Sequence, residues 1–336
     1  MSLNKPIIEV KELKTSFRTD EAEVPVVNGI SFHINPGEIL GIVGESGCGK
    51  SITSLSIMGL VPSPSGKVEG EILFKGENLA DAPESRMRKI RGNDIAMIFQ
   101  EPMTSLNPVF TIGEQLIESI RIHRKWNKKM AEARAVEMLR LVGLPRAEDL
   151  IREYPHQLSG GMRQRVMIAM AMICDPALLI ADEPTTALDV TIQAQILELM
   201  KKLNKETETA IMMITHDLGV VAEICERVAV MYSGRIVEEA DVRTIFQDPK
   251  HPYTIGLIQS VPDMRDKKER LYSIPGNVPK PGAAKPGCPF APRCAHAMEK
   301  CVTKTPSLKS LNDGQKVRCW LYEDGKGVKL NDTAIS

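Results

Sequence analysis

The fold of this chain follows from one stretch, Gly44-Glu45-Ser46-Gly47-Cys48-Gly49-Lys50-Ser51. It fits the pattern G-x-x-x-x-G-K-[ST], the P-loop that wraps the phosphates of a nucleotide. A strand-like apolar run at residues 38–43 precedes it, and a helix-compatible run at residues 51–60 follows it. Glycines let successive N–H groups turn toward a phosphate, and the following helix directs its positive dipole end at the same anion. Lys50 would then contact the β- and γ-phosphates, and Ser51 would supply a hydroxyl ligand for Mg²⁺.

Polar side chains follow three further apolar, strand-like runs, at residues 94–99, 177–181 and 210–215. They are Gln100, the pair Asp182 and Glu183, and His216. The carboxyl ends of parallel strands form the ligand-facing edge of a doubly wound sheet, where we expect these side chains. Nucleotide hydrolysis needs a carboxylate in the Mg²⁺ shell, for which Asp182 is suited, and a group that polarises the attacking water, for which Glu183 is suited.

Two regions flank this predicted sheet. Residues 7–43 contain short strands with turn sequences at Asn28-Gly29 and at residues 35–37, which predicts an antiparallel piece ahead of the P-loop. Phe17 is expected in the first loop of this piece, where its ring could stack on an adenine or serve only in packing. Residues 111–152 have helical periodicity with charged faces, which predicts an inserted helical subdomain.

A second anion-binding sequence, LSGGM, occupies residues 158–162. Its Ser159, Gly160 and Gly161 stand directly before a helix-like run at residues 163–173. A Ser-Gly-Gly sequence at a helix N-terminus is suited to bind an anion. This site is additional to the P-loop.

Composition limits the classes of function. The chain has 336 residues, enough for one large domain and a smaller one, and its 43 Lys and Arg balance 43 Asp and Glu. No net basic charge favours nucleic acid as a partner. The start has no long apolar segment and no run approaches the roughly 18 residues that span a bilayer, so we expect a chain inside the cell. Three of the seven cysteines (Cys48, Cys174 and Cys225) are scattered, which argues against a secreted disulfide framework.

Taken in order, these motifs resemble the nucleotide-binding subunits of ABC transporters over about residues 5–245. The segments that carry the resemblance are Gly44–Ser51, Gln100, Leu158–Met162, Leu178–Glu183, Ala187-Leu188-Asp189 and His216. The resemblance implies an α/β fold: a P-loop NTPase, ABC-type nucleotide-binding domain with an antiparallel β subdomain and a helical subdomain inserted at about residues 103–165. Met162 replaces the usual Gln of the LSGGQ segment, as it does in peptide-transporter members.

The same resemblance implies a cofactor and a role for each residue. ATP with Mg²⁺ would bind the P-loop, with Phe17 stacking on the adenine. Ser51, Gln100 and Asp182 would hold the Mg²⁺ shell. Gln100 would also sense the attacking water and relay to the membrane subunits. Glu183 would polarise that water, and His216 would contact the γ-phosphate.

Dimerisation is implied as well. In this family the LSGGQ-type segment of one subunit closes over ATP held by the P-loop of another. Ser159, Gly160 and Gly161 would therefore act in trans in a head-to-tail dimer, and Asp189 would belong to the dimer-contact loop. The second ATPase subunit is expected to be a distinct sibling, with a homodimer as the alternative.

A loop-rich C-terminal extension is predicted at residues 246–325, followed by a tail at residues 326–336, because Pro, Gly and Lys become frequent there. It contains Cys288, Cys294, Cys301 and Cys319, separated by five, six and seventeen residues. Four thiolates can bind Zn²⁺ or an iron–sulfur cluster, although inert reduced cysteines remain an alternative because no C-x-x-C pair is present.

The HPYT segment at residues 251–254 and the CPFAPRC segment at residues 288–294 resemble the tail of the oligopeptide/dipeptide branch of ABC ATPases. That branch implicates its four cysteines in holding a four-iron four-sulfur cluster, which we favour over zinc.

The resemblance implies an ATPase subunit that powers import of oligopeptides or dipeptides from the cytoplasmic face of the membrane. Its partners would be two transmembrane permeases and the second ATPase, with a solute-binding protein in the same complex but out of contact. The alternatives are import of nickel or another small solute, a soluble ABC ATPase acting on ribosomes or DNA, and a binding module without turnover. The second alternative is not supported, because the sequence has no second cassette, long coiled coil or basic surface, and Glu183 opposes the last.

Overall fold

A computed structural model describes residues 5–100, 105–186, 188–261, 272–282, 286–311 and 314–323. Ala187 and the predicted tail at residues 326–336 lie outside these ranges. The chain divides into two compact units. The first unit comprises Met1–Ile8, Ile34–Ile39 and Phe74–Met213, and the second comprises Glu9–His33, Leu40–Leu73 and Ile214–Ser336.

The described strands and helices, in chain order, are as follows. The strands are β1 (Ile8–Arg18), β2 (Glu23–Ile34), β3 (Ile39–Val43), β4 (Gly66–Phe74), β5 (Glu77–Asn78), β6 (Ile95–Ile98), β7 (Leu178–Asp182), β8 (Ala210–Thr215), β9 (Arg227–Tyr232), β10 (Arg235–Asp241), β11 (Lys309–Ser310) and β12 (Lys316–Val317). The α-helices are α1 (Lys50–Ile57), α2 (Glu84–Ile90), α3 (Ile112–Arg124), α4 (Lys128–Leu141), α5 (Ala147–Leu150), α6 (Gly160–Met172), α7 (Val190–Thr207), α8 (Leu218–Ile224), α9 (Val242–Gln247), α10 (Pro252–Gln259) and α11 (Glu299–Thr303).

In the second unit, β1 and β2 form a hairpin closed by a hydrogen bond from the Thr19 N–H to the Ala22 carbonyl (2.9 Å). Two predictions are wrong here. Phe17 lies in β1, not in a loop, because the turn of the hairpin begins only at Thr19 and the strand continues to Arg18. Asn28-Gly29 is not a turn: Gly29, with φ +68°, lies inside β2, where a glycine accommodates a local distortion without ending the strand.

The second unit also contains the strands β11, β12, β10, β9 and β3, hydrogen-bonded in that order. Only the β9–β3 pair is parallel, with Leu40 opposite Arg227 and Val43 opposite Val230. The extension is therefore more than loops, because its strand β12 pairs antiparallel with β10. This join is reinforced by the fully buried Glu238 of β10.

Glu238 accepts three hydrogen bonds within the second unit. The donors are the Lys250 N–H (2.7 Å), the His251 N–H (2.8 Å) and the Gln315 side-chain amide (2.6 Å). Because all three donors belong to the extension, one buried carboxylate fixes the HPYT segment and the chain that leads into β12.

In the first unit, β8, β7 and β6 are hydrogen-bonded in that order, and β6 runs parallel to β7. Every residue of β7 and β8 is buried, as continuous apolar runs in a parallel sheet predict. The predicted helical region contains α3, α4 and α5, with α3 begun by a capping box between Thr111 and Glu114. The short helix α2 was not predicted, because it is charged and the N-cap residue, Pro83, offers no side-chain hydrogen bond.

Within the described ranges, no helix has both the length and the apolar character needed to cross a membrane.

Candidate active site

The P-loop lies between the buried strand β3 and helix α1, as predicted. Gly44 has φ +153°, and a Cβ there would stand 2.2 Å from the Met231 carbonyl oxygen. Gly49 has φ +104°, and its Cβ would stand 2.9 Å from the Val26 carbonyl oxygen. Only glycine fits at these two positions, because both the backbone conformation and the space exclude a side chain.

The Lys50 side chain is buried and crosses the P-loop. Its ammonium donates to the Gly44 carbonyl at 2.7 Å and to the Glu45 carbonyl at 3.2 Å. Cys48 is also buried, and burial raises the pKa of its thiol, so this side chain adds no negative charge. The P-loop therefore holds a positive charge among backbone groups, an arrangement that suits a phosphate.

The C-terminal extension contacts the P-loop at Glu45. The Tyr253 hydroxyl accepts a hydrogen bond from the Glu45 N–H at 2.9 Å. The Arg293 guanidinium donates to both carboxylate oxygens of Glu45, at 2.7 and 3.1 Å. Sequence reasoning missed both contacts, since neither residue belongs to a nucleotide motif.

Phe17 and His216 also belong to the second unit. Phe17 is partly buried near the end of β1, where its ring edge would stand 3.3 Å from a Cβ at Gly66. His216 is exposed directly after β8. The next residue, Asp217, caps α8 by accepting the Gly219 N–H at 2.7 Å. The exposed His216 therefore lies between the end of β8 and the start of α8.

In the first unit, Glu183 follows β7 and has φ +49°, a left-handed conformation that is strained for glutamate. One of its carboxylate oxygens, Oε2, accepts from the Gln100 side-chain amide at 3.1 Å and from the Thr186 hydroxyl at 2.9 Å. The structure therefore brings together Gln100 and Glu183 and adds Thr186, which the sequence analysis did not single out. Two donors on one oxygen hold the carboxylate in a fixed orientation.

Asp182 is the last residue of β7 and is buried. Two positions later, the Pro184 carbonyl accepts a hydrogen bond from the buried Gln164 side chain of α6. This contact links the loop that carries Asp182 and Glu183 to the helix that follows the LSGGM segment.

The LSGGM segment begins α6, one turn earlier than the predicted start at residue 163. The Ser159 hydroxyl caps the helix by accepting the Met162 N–H at 3.3 Å. Ser159 and Gly160 are exposed, and a Cβ at Gly160 would meet no described atom within 4 Å. Asp189 similarly caps α7 through the Ile192 N–H at 3.0 Å. The helix terminus at Ser159 is thus open to a ligand or another chain.

The four extension cysteines lie around one small cavity in the second unit, with a volume of about 10 Å³. Cys288, Cys294, Cys301 and Cys319 line it together with His251 and His296. Burial raises the pKa of Cys294 to about 11 and that of Cys319 to about 12, so both are neutral thiols in this state. In the part of the chain that the structure describes, no three His, Cys, Asp or Glu side chains have metal-holding geometry. The cysteines share a pocket, and a metal in it stays a prediction.

The strand–P-loop–helix unit, the carboxylate loop after β7 and the LSGGM helix together define an ABC-type ATPase. A family model described as "ABC transporter" matches residues 27–186. A second, "Oligopeptide/dipeptide transporter, C-terminal region", matches residues 237–301. The chain belongs to the oligopeptide/dipeptide family of ABC ATP-binding proteins.

Relatives and solved structures support this membership. The oligopeptide transport ATP-binding protein AppD of Bacillus subtilis is 56% identical, over 95% of this chain and 97% of that protein. The oligopeptide transport ATP-binding protein OppD of Haemophilus influenzae is 51% identical, over 94% of this chain and 97% of that protein. A solved dimeric ATP-binding cassette, MJ0796 in a post-hydrolysis state with ADP and Pi, is 30% identical with TM-score 0.62, over 70% of this chain and 99% of that one.

Proposed function

We propose that this chain hydrolyses ATP to power import of oligopeptides or dipeptides through a membrane ABC transporter. ATP binding closes a dimer of ATPase subunits, hydrolysis reopens it, and two permease subunits receive the motion. The observation that carries the hydrolytic step is the Glu183 carboxylate, oriented by Gln100 and Thr186 after a parallel strand. The peptide cargo rests on the names of the relatives.

The adenine and the phosphates would be bound in cis by residues of the second unit. Residues 44–51 cradle the phosphates, with Lys50 neutralising the β- and γ-phosphates and Phe17 contacting the adenine. His216 would contact the γ-phosphate. Ser51, Gln100 and Asp182 supply the hydroxyl, amide and carboxylate oxygens that Mg²⁺ prefers, and the ion would neutralise charge as the γ-phosphoryl group transfers.

The partner subunit would complete the site in trans. The exposed Ser159 hydroxyl and the backbone N–H groups of Gly160 and Gly161 form a positive helix end suited to the γ-phosphate held by the other subunit. Asp189 would contact the partner near the same nucleotide. A distinct sibling is proposed as this partner, with a second copy of the chain as the alternative.

The helical region of the first unit is proposed to contact the permeases at the cytoplasmic face of the membrane. It exposes the apolar side chains of Val109, Phe110 and Ile122, an arrangement that favours a protein partner. We propose the same domain boundaries as the sequence analysis: a cassette at residues 1–245, with its helical subdomain at about 103–165, and the extension at residues 246–325.

The four cysteines of the extension are proposed to hold a four-iron four-sulfur cluster, with Zn²⁺ as the alternative. The donor set fits either group, since four thiols line one cavity. A bound cation would favour thiolates over the neutral thiols that burial alone favours. Such a group would link segments of the extension that contain only short helices and two-residue strands.

The test of this metal group is anaerobic purification followed by iron, zinc and sulfide analysis. A variant with both Cys288→Ser and Cys294→Ser serves as the comparison. About four iron and four sulfide per chain, lost in the variant, would support the cluster. One zinc without sulfide would replace it by zinc, and absence of metal and sulfide would refute both.

The test of the ATPase assignment is Glu183→Gln in the full-length chain. The variant keeps the shape of the side chain but cannot accept a proton, so it should bind Mg·ATP and hydrolyse it at least about 100-fold more slowly. Retained hydrolysis would refute the role of Glu183. Uptake of labelled di- and oligopeptides against labelled nickel by the assembled transporter would then decide the cargo.

A further inference from the structure

The P-loop carries a carboxylate of its own. Glu45 follows Gly44 directly, and its carbonyl oxygen stands 3.2 Å from the ammonium of Lys50. A nucleoside triphosphate brings about four negative charges to such a loop, and like charges repel strongly where water is partly excluded. An uncompensated Glu45 would therefore oppose the binding that Lys50 promotes.

Arg293 compensates this charge. It forms a two-pronged ion pair with Glu45, and its side chain is only 4% exposed. The guanidinium also lies over the Tyr232 and Phe290 rings, at 5.8 and 5.9 Å from their centres. Arg293 is therefore an enclosed, fixed cation, in contrast to the exposed ion pairs of the same extension such as Lys300 with Glu323.

The backbone of Glu45 is held by the same extension. Tyr253 is fully buried, packs against Tyr232 and Phe290, and accepts the Glu45 N–H with its hydroxyl. Both the main chain and the side chain of this P-loop residue thus depend on residues more than 200 positions away in sequence.

We propose that Arg293 is a positioning residue of the nucleotide site, which neutralises Glu45 and thereby lets the P-loop accept a triphosphate. The inference rests on the proposed binding of ATP at residues 44–51. It makes the C-terminal extension a component of the ATP site, in addition to any metal that the extension holds. The alternative is that the ion pair only attaches the extension to the rest of the second unit.

The test is a double-mutant cycle on the full-length chain, with equilibrium titration of Mg·ATP. Arg293→Met leaves Glu45 unpaired and should raise the Kd for ATP about tenfold or more, with a larger effect at low salt. Glu45→Gln alone should change the Kd less than about threefold. In the double variant the charge is removed with its partner, so the Kd should return to within about threefold of wild type.

The controls separate this role from simple attachment. Lys300→Met breaks an exposed ion pair of the extension and should leave the Kd unchanged. Circular dichroism and thermal unfolding without nucleotide verify that each variant is folded.

An unchanged Kd in Arg293→Met would refute the proposal, as would a double variant that binds ATP as weakly as Arg293→Met alone. The Lys50→Met variant separates failure of the proposed nucleotide site from failure of the proposed role of Arg293. If wild type and Lys50→Met bind ATP equally, the proposed nucleotide site is wrong and this inference falls with it. If only Lys50→Met weakens binding, the site stands and the role of Arg293 is refuted.

Discussion

Replacing Thr186 with valine is expected to slow ATP hydrolysis without weakening ATP binding. Valine keeps the shape of threonine but removes the hydroxyl that donates to the Glu183 carboxylate at 2.9 Å. Gln100 would remain as the other donor on that oxygen, at 3.1 Å. A carboxylate with one donor fewer is less firmly oriented toward the water that we propose it polarises.

The magnitude follows from the energy of the lost contact. A hydrogen bond to a charged group contributes about 1.5–3 kcal/mol. If all of it is expressed in the transition state, kcat falls by about 10- to 150-fold, since each 1.36 kcal/mol corresponds to a factor of ten. The KM for ATP should change less than about twofold, because Thr186 lies outside the P-loop.

The assay is steady-state phosphate release as a function of ATP concentration, with two matched variants. Thr186→Ser restores a hydroxyl and should recover most of the rate. Thr185→Val makes the same chemical change at the neighbouring position, where no side-chain hydrogen bond is found among the described residues, and should be near wild type. A Thr186→Val enzyme with unchanged kcat, in an assay where Glu183→Gln is inactive, would show that the orientation of Glu183 does not depend on this contact.

Three further predictions concern Gly44 and Glu238 of the second unit. Gly44→Ala should abolish detectable ATP binding, measured by titration, because its Cβ would overlap the Met231 carbonyl; binding at wild-type affinity would contradict this. Glu238→Ala leaves three hydrogen-bond donors, two of them buried, without their acceptor and should lower the free energy of unfolding in urea by about 3 kcal/mol or more, whereas Glu77→Ala at an exposed pair should cost less than about 1 kcal/mol. Burial raises the pKa of Glu238 above its unfolded value near 4.5. The stabilising contribution of this group is therefore present at low pH and is lost as pH rises. The difference in unfolding free energy between wild type and Glu238→Gln should accordingly decrease as pH increases from 4.5. A difference that is constant or increases with pH would contradict this sign.

The fold was predictable wherever a motif and its strand or helix context agree. The P-loop lies between β3 and α1 as expected. Its backbone leaves no space for a side chain at Gly44 or Gly49, so the spacing of these glycines in the sequence identifies the loop. The buried strands β7 and β8 were also predictable, since parallel strands are apolar throughout. The error at Phe17 arose at a strand boundary, where local propensity decides little.

Contacts between distant parts of the chain could not be predicted in the same way. Arg293 and Tyr253 have no motif in common with Glu45, and a single sequence does not pair residues that meet only after folding. Thr186 was within reach, because it lies three residues after Glu183, but a threonine in a turn is common and carries no distinct signal. The cysteines were recognisable as a group, whereas their arrangement depends on the loops between them.

Glu45 and Arg293 are 248 positions apart. A ribosome that adds about 5–20 residues each second needs about 12–50 s to travel between the two codons. During that interval the nascent chain contains the P-loop, but it lacks Arg293, which neutralises the Glu45 carboxylate. A polypeptide whose synthesis stops before the CPFAPRC segment would therefore carry an unpaired carboxylate in its P-loop. The chain would become able to bind ATP only when its translation is nearly complete.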